Sequence, residues 1–114
     1  MNHFKYMQLA AQIAVLKDDN RTYRHGAVGI RNDGVIVCSS NGNPTEPQPR
    51  HHAEARVLRK MSKNGTLYVV RVLKDGSWGN SKPCHNCMKR LKSKGIFKVC
   101  WSLGWGHSFV EMTL

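Results

Sequence analysis

The sequence predicts an α/β fold, a three-layer α/β/α sandwich around a mixed sheet of roughly five strands. Short runs rich in β-branched residues alternate with segments whose apolar residues recur every three to four positions. The predicted order, α-β-β-α-β-α-β, contains strand–helix–strand units, which favour parallel strand pairing with the helices packed against the sheet. With 114 residues and no shift in composition, we expect a single domain over residues 1–114.

The first third of the chain predicts a helix followed by a hairpin. Residues 4–17 carry an apolar stripe at helical spacing, and Asp18-Asp19-Asn20 ends it. Two β-type runs follow, at 27–31 and 35–40. The Asn32-Asp33-Gly34 turn between them is typical of a hairpin.

The middle of the chain predicts a loop, a helix and a buried strand. Residues 41–50 hold three of the four prolines, which excludes regular structure there. Residues 51–63 have an apolar side and a basic side, as in an amphipathic helix closed by Asn64-Gly65. Residues 66–72 form a continuous β-type run, which predicts a central strand, and 73–82 read as a polar loop.

The last third predicts a helix beginning near Pro83 and one more buried strand. Cys84, Cys87, Met88 and Leu91 share one helical face, and Gly95 supplies the stop. Residues 96–101 are apolar and strand-sized. The tail over residues 109–114 is compatible with either a short helix or a strand.

Charge and hydropathy exclude some functional classes. The chain has 18 Lys and Arg against 7 Asp and Glu, a net charge of +11. This balance favours either a polyanionic partner such as nucleic acid or a merely solvated basic surface. No apolar stretch approaches the roughly 18 residues of a membrane span, and the N-terminal residues lack the apolar core of a secretion signal. We therefore expect a cytoplasmic protein that does not bind membranes.

The four cysteines divide into two pairs. Cys84 and Cys87 form a C-x-x-C pair, which in a chain without a secretion signal indicates metal binding or thiol chemistry rather than a disulfide. Cys38 and Cys100 lie in apolar, strand-like runs and are expected to be core residues.

The most informative pattern is His52-Ala53-Glu54 followed, after residues 55–82, by Pro83-Cys84-His85-Asn86-Cys87. One imidazole and two thiolates suit Zn²⁺, and three protein ligands leave a fourth position for water. Glu54, two residues beyond His52, is placed to move protons without ligating. A structural zinc site is the alternative, with its fourth ligand drawn from His51, His85 or Cys100. We favour a catalytic site, because structural sites usually pair two close-spaced doublets.

These two segments resemble the H-x-E…P-C-x-x-C signature of the cytidine deaminase-like superfamily, and the resemblance extends over about residues 22–101. It implies that the base binds with C4 beside the zinc, that water displaces ammonia from C4, and that Glu54 carries the protons. It also implies that small Ala53 lets the base approach, and that His25, in the His25-Gly26-Ala27-Val28 strand, enters the pocket. A substrate-binding Asn before the zinc helix is expected at Asn41 or else Asn43, although both are also ordinary turn residues.

The substrate class is predicted from basic and aromatic residues expected around the pocket. Arg24 and Trp105 are candidates for substrate contacts, and so is Trp78. Aromatic faces together with cations hold single-stranded nucleic acid without base pairing. Trp78 and Trp101 are equally compatible with core packing. The S-W-S/T-P-C box of vertebrate-type polynucleotide deaminases is absent, since residues 78–84 read WGNSKPC.

The leading hypothesis is therefore a zinc-dependent deaminase that converts cytosine to uracil in single-stranded nucleic acid, with DNA favoured. The alternatives are a free cytidine nucleoside or nucleotide deaminase acting on substrates such as CMP and dCMP, an adenine deaminase of nucleic acid, and a non-catalytic, zinc-stabilised nucleic-acid-binding module. Sequence context and oligomeric state are not determined by these residues.

Overall fold

A mixed sheet forms the centre of the molecule, with helices on both faces, which confirms the predicted α/β architecture. The computed structural model describes residues 2–15, 24–40, 53–61, 63–83 and 85–114, with the side chains of 53–55 left out. In chain order the elements are α1 (His3–Val15), β1 (Arg24–Ile30), β2 (Ile36–Ser40), α2 (Ala53–Leu58), β3 (Thr66–Val72), β4 (Trp78–Gly79), α3 (His85–Lys94), β5 (Lys98–Ser102) and β6 (Phe109–Thr113).

The strand order is β2-β1-β3-β5-β6, with β4 paired to β3 beyond the end of β5. Strands β1 and β2 form the predicted antiparallel hairpin, and β1 also pairs antiparallel with β3. Strands β3 and β5 are parallel, as the β3–α3–β5 unit predicts, and β6 returns antiparallel to β5. Because β2 and β3 both run opposite to β1, the carboxyl ends of β2, β3 and β5 share one edge of the sheet.

One face of the sheet is covered by α1. Met7, Ala10 and Ala14 of the helix are buried against Val28 and Tyr68 of the sheet. Gly26 allows the helix to lie so close: a Cβ there would fall on the carbonyl oxygen of Ala10 and 2.7 Å from the Ala14 nitrogen. The apolar stripe of the sequence thus predicts the buried side of α1 correctly.

The other face is covered by α2 and α3. Three side chains pack on Leu67 and Val99 of the central strands: Val57 of α2, Met61 just after α2, and Leu91 of α3. Trp101 is buried in the same cluster, so its side chain is a core residue rather than part of a rim. Alternation along β1 and β3 therefore sorts their side chains between two separate clusters.

The structure changes several element boundaries and adds one short strand to the sequence expectation. The α-helix of α2 ends at Leu58, because the next turns are tightened: the Lys60 and Met61 amides donate to the carbonyls three residues earlier, Val57 and Leu58. The loop over 73–82 contains the two-residue strand β4, and α3 begins at His85. The tail forms β6, which adds an edge strand to the sheet.

The expectation for Cys38 is wrong, whereas that for Cys100 is confirmed. Cys100 is fully buried on the α1 face of β5, but Cys38 is exposed. Cys38 lies in β2, the outer strand of the hairpin, where apolar sequence does not produce burial because an edge strand has a neighbour on one side only. None of the described helices is both long and apolar enough to cross a bilayer.

Candidate active site

The predicted site residues flank elements that meet at one edge of the sheet. This edge holds the carboxyl ends of β2, β3 and β5 and the start of β1. Helices α2 and α3 begin after β2 and after the β3–β4 hairpin, respectively. The Arg56 guanidinium in α2 donates to the Ser40 carbonyl, the last residue of β2, at 3.2 Å, which fixes this helix at the edge. Ligands of open α/β sheets bind at such carboxyl edges.

Cys87 lies in the first turn of α3 and is 2% exposed. It precedes Leu91 by four residues, so both side chains lie on the helix face that packs on the sheet. His52 and Cys84 lie outside the described residues. Each is the sequence neighbour of a helix start, since α2 begins at Ala53 and α3 at His85.

The chain leading into α3 is fixed by a group of buried hydroxyls. Ser81 donates from Oγ to the Val69 carbonyl at 2.8 Å, and its Oγ accepts from the Ser102 amide at 2.8 Å. The Ser81 amide donates in turn to the Ser102 carbonyl at 3.0 Å. Ser81 and Ser102 are both buried. These bonds tie residues 79–83 to the ends of β3 and β5 and so determine where α3 starts.

His25, a predicted substrate-binding residue, lies on the α2/α3 face of β1, the face that Ala27 shares. It is half-buried and stands opposite Arg71 of β3 in the antiparallel register. Arg71 is a residue that the sequence reasoning missed. Only the pairing of β1 with β3 brings it beside His25, and no sequence spacing reports that register.

Arg24 and Trp78 are directed elsewhere. The Arg24 guanidinium donates to the Leu73 carbonyl at 2.6 Å, so it holds the β3–β4 turn against the start of β1. Trp78 is 4% exposed and packs against Phe4 and His107 in the cluster on the α1 face. The structure therefore does not bring Trp78 to the side of the sheet that holds Cys87, and it favours the core interpretation of this residue.

Trp105 is presented to solvent at the carboxyl end of β5. Its side chain is 66% exposed, in the turn between β5 and β6. Gly104 and Gly106 flank it with φ of +106° and +56°, left-handed conformations that favour glycine. The Trp78 amide donates to the Gly106 carbonyl at 3.3 Å, which holds this turn beside β4. The turn thus lies at the same edge as the segment leading into α3.

Comparison with known families decides the identity of the fold. The family model of the cytidine and deoxycytidylate deaminase zinc-binding region matches residues 1–103. The chain belongs to this family. No curated protein sequence matches the chain significantly. The match confirms the predicted superfamily. Membership implies zinc-dependent deamination of a cytosine-containing substrate.

The donor chemistry of the deaminase fits its Zn²⁺ cofactor. A buried thiol at a helix start is the kind of ligand that zinc prefers, and the helix N-terminus favours its thiolate form. Cys100 is not available as a fourth ligand of this site, because it lies on the opposite face of the sheet from Cys87. The alternative of a structural site completed by Cys100 therefore loses its support. His85 is exposed on α3, and His51 lies outside the described residues.

The remaining substrate candidates of the deaminase lie where no side chain is described. Asn41 and Asn43 fall between β2 and α2, outside the described residues. Glu54 and Ala53 belong to the first turn of α2, of which the backbone is described. Their roles stay predictions, supported by the position of the helix start at the carboxyl edge.

Proposed function

We propose that this deaminase hydrolyses cytosine to uracil and ammonia within single-stranded nucleic acid, DNA in preference to RNA. For deamination, the supporting observation is the family match over residues 1–103 together with the buried Cys87 at the start of α3. For a polymeric substrate, the supporting observation is the row of exposed basic residues on α3.

In this proposal His52, Cys84 and Cys87 hold the zinc. Zinc, when bound, supplies a Lewis acid that makes a water molecule nucleophilic at neutral pH. Glu54 takes a proton from the attacking water and delivers it to N3 of the cytosine ring. It then takes the proton of the new C4 hydroxyl and passes it to the amino group, which leaves C4 as ammonia. Ala53 keeps the first turn of α2 small where the base lies. His25 forms part of the pocket wall, and Asn41 or Asn43 binds the sugar or the base.

The exposed face of α3 supports a polymeric substrate. Lys89, Arg90, Lys92 and Lys94 are all exposed, and α3 contains no acidic residue. Cys87 lies on the buried face of the same helix, so the basic face begins within one turn of the proposed zinc site. A free nucleotide carries its phosphates on a single sugar, whereas a row of cations extending along a helix matches the repeated phosphates of a chain.

Trp105 supports single-stranded rather than duplex substrate. An exposed indole at the carboxyl edge offers a face on which a neighbouring unpaired base can stack. A cytosine in a duplex would have to be unpaired and unstacked before its C4 could reach the zinc, which costs a few kcal/mol.

A substrate panel tests the proposal directly. The zinc-loaded protein is incubated with cytosine-containing single-stranded DNA and RNA, with CMP, dCMP and cytidine, and with an adenine-containing oligonucleotide. We expect uracil in the DNA oligonucleotide at the highest rate. Turnover of free nucleotides alone would contradict a polymeric substrate. Formation of inosine from adenine would contradict cytosine as the substrate base. No turnover of any substrate would support the non-catalytic binding module.

The variant Glu54→Gln tests the mechanism. It keeps the size and polarity of the side chain but cannot carry protons, so we expect turnover to fall by at least about a hundredfold while bound zinc is unchanged. Asp33→Asn, which removes an exposed carboxylate in the β1–β2 turn, is the matched control and is expected to keep full activity. Wild-type activity in Glu54→Gln would exclude the assigned role.

A further inference from the structure

A second group of metal-binding side chains lies on the α1 face, away from Cys87. His3, Cys100 and Glu111 each offer one donor atom, and these three atoms lie within 4.8 Å of one another. They come from three elements: the first residue of α1, the middle of β5 and the middle of β6. Imidazole, thiol and carboxylate together form a donor set that zinc accepts.

The register of the sheet sets two of these residues side by side. Cys100 stands directly opposite Glu111 in the β5–β6 pair, and Tyr68 stands opposite Cys100 in the β3–β5 pair. Tyr68, Cys100 and Glu111 therefore form one row across three strands, all on the α1 face. Tyr68 and Cys100 are fully buried, while Glu111 is half-exposed at the edge of the sheet.

His3 covers this row from above and is oriented by two contacts. Its Nδ1 lies 2.7 Å from the Tyr68 hydroxyl, and its Nε2 lies 2.8 Å from Oε2 of Glu111. A metal-ligating histidine commonly has its second ring nitrogen hydrogen-bonded to an oxygen, which fixes the ring and its tautomer. The Tyr68 hydroxyl occupies that position at Nδ1 and leaves Nε2 in contact with Glu111 and within 4.8 Å of the Cys100 sulfur.

We propose that His3, Cys100 and Glu111 form a second binding site for a divalent zinc-like ion, with His3 ligating through Nε2. Tetrahedral zinc with bonds of about 2.0–2.3 Å holds its ligand atoms about 3.3–3.8 Å apart. Ligation at this spacing requires His3, at the start of its helix, and Glu111, at the edge of the sheet, to rotate from their present positions. Three ligands leave one position for a water molecule.

The charges around the group are compatible with a cation. A thiolate and a carboxylate together balance the two positive charges of the ion. The Lys98 ammonium lies 3.4 Å from Oε2 of Glu111, so an ion bound by this carboxylate must displace Lys98 from it. The alternative is that His3 only links β3 and β6 through its contacts with Tyr68 and Glu111, and the experiment must distinguish this structural role from metal binding.

The site is distinct from that of the deaminase reaction. Cys100 and Glu111 belong to the face covered by α1, whereas Cys87 lies on the side of α2 and α3. The sheet separates the two groups, so their occupancies can be measured independently. The second site does not depend on the proposed substrate.

The test is the zinc content per chain, measured by elemental analysis after equilibration with Zn²⁺ and removal of the free ion. Wild-type protein is expected to hold two ions. His3→Gln and Glu111→Gln, which keep hydrogen-bonding groups in place, are expected to hold one, as is Cys100→Ser. Cys38→Ser and Asp33→Asn, which change an exposed thiol and an exposed carboxylate elsewhere, are the matched controls and are expected to hold two.

A second measurement guards against loss of folding in Cys100→Ser. Zn²⁺ should raise the thermal midpoint of wild-type protein more than that of His3→Gln, because an ion bound only by the folded state stabilises it. Cys87→Ser reports the deaminase site separately. If His3→Gln and Glu111→Gln have the same zinc content and the same thermal response as wild type, the second site does not exist. This conclusion holds whatever Cys87→Ser shows.

Discussion

Gly26 shows how one residue determines the distance between a helix and the sheet. A side chain at this position would overlap the Ala10 carbonyl of α1, so α1 can pack at its observed distance only on glycine. The glycine is visible in the sequence, within the His25–Val28 strand. The need for a glycine there is not visible in the sequence, because the residues that approach it belong to α1, more than ten positions away along the chain.

Gly26→Ala is expected to destabilise the protein by more than about 3 kcal/mol, since a backbone atom of α1 cannot move aside as a flexible side chain can. Urea unfolding measures the change. Gly34→Ala is the matched control: this turn glycine has φ of +88° and open space around it. Because only the left-handed backbone disfavours alanine there, Gly34→Ala should lower the free energy of unfolding by about 1 kcal/mol. Equal effects of the two substitutions would contradict the close-packing explanation.

The buried thiol of Cys100 illustrates how environment changes a residue type. Burial, and then the nearby Glu111 carboxylate, raise the pKa of Cys100 to about 12, although Lys98 acts in the opposite direction. Burial likewise raises the pKa of Tyr68 above its ordinary range, with Cys100 adding to the effect. Sequence alone does not distinguish this cysteine from Cys38, because both lie in similar apolar runs.

At the scale of elements, the buried serines decide where α3 begins. Ser102 Oγ lies 2.7 Å from Ser81 Oγ and accepts from the Arg71 amide at 3.4 Å. It also donates to the Gly79 carbonyl at 2.5 Å. One hydroxyl therefore joins β3, β4, β5 and the segment leading to α3.

Ser102→Ala is expected to lower the free energy of unfolding by about 2 kcal/mol, because it leaves buried polar groups without partners. Ser93→Ala, an exposed serine on α3, is the control and should stay within about 0.5 kcal/mol of wild type. Chemical denaturation of both variants makes the comparison. An effect at Ser102 as small as at Ser93 would show that the hydroxyl group does not hold the segment.

The elements that the sequence predicts well are those whose pattern is local. Helix α1, strand β3 and the Asn32–Gly34 hairpin follow from periodicity and turn residues within the segment itself. Strand β4 has two residues, too few for any periodicity, and exists because it can pair with the end of β3. Strand β6 likewise depends on the free edge of β5. Such pairing partners are distant in sequence and leave no local pattern.

At the scale of the whole molecule, the described charges are unevenly distributed. The exposed cations of α3 and those after α2, such as Arg59, Lys60 and Lys63, lie on the α2/α3 side. The described carboxylates are elsewhere: Asp33 and Asp75 lie in turns, and Glu111 lies on the α1 side. A polyanion would therefore meet the side of the molecule on which the proposed zinc site lies.

Lys92→Glu should weaken binding of a single-stranded oligonucleotide and reduce the dependence of log affinity on log salt by about one unit. Lys5→Glu makes the same charge change on α1, the opposite face, and is expected to leave both quantities near wild type. Fluorescence anisotropy at several salt concentrations measures them. An equal loss in both variants would indicate attraction by net charge alone, and no loss in either would exclude α3 as the binding surface.

The candidate site is predictable from sequence to the extent that its chemistry is carried by spacing. The His52–Glu54 and Cys84–Cys87 segments each predict ligands by short, local spacing, and both lie within the residues that the family model matches. Two features of the site depend on strand register and on which face a residue occupies. Arg71 lies beside His25, and the Trp78 side chain lies on the opposite face of the sheet. A single residue of slip would reverse both, so only the folded sheet determines them.

The contact between His3 and Glu111 also has a kinetic consequence, because it joins the first helix to the last strand. Closing so large a loop costs chain entropy that no local interaction offsets, so this contact is expected to form late in folding. Interactions absent from the transition state slow unfolding without speeding folding. The contact between α1 and β6 would then act mainly on how long the native state persists, and a bound ion there would lengthen that time further.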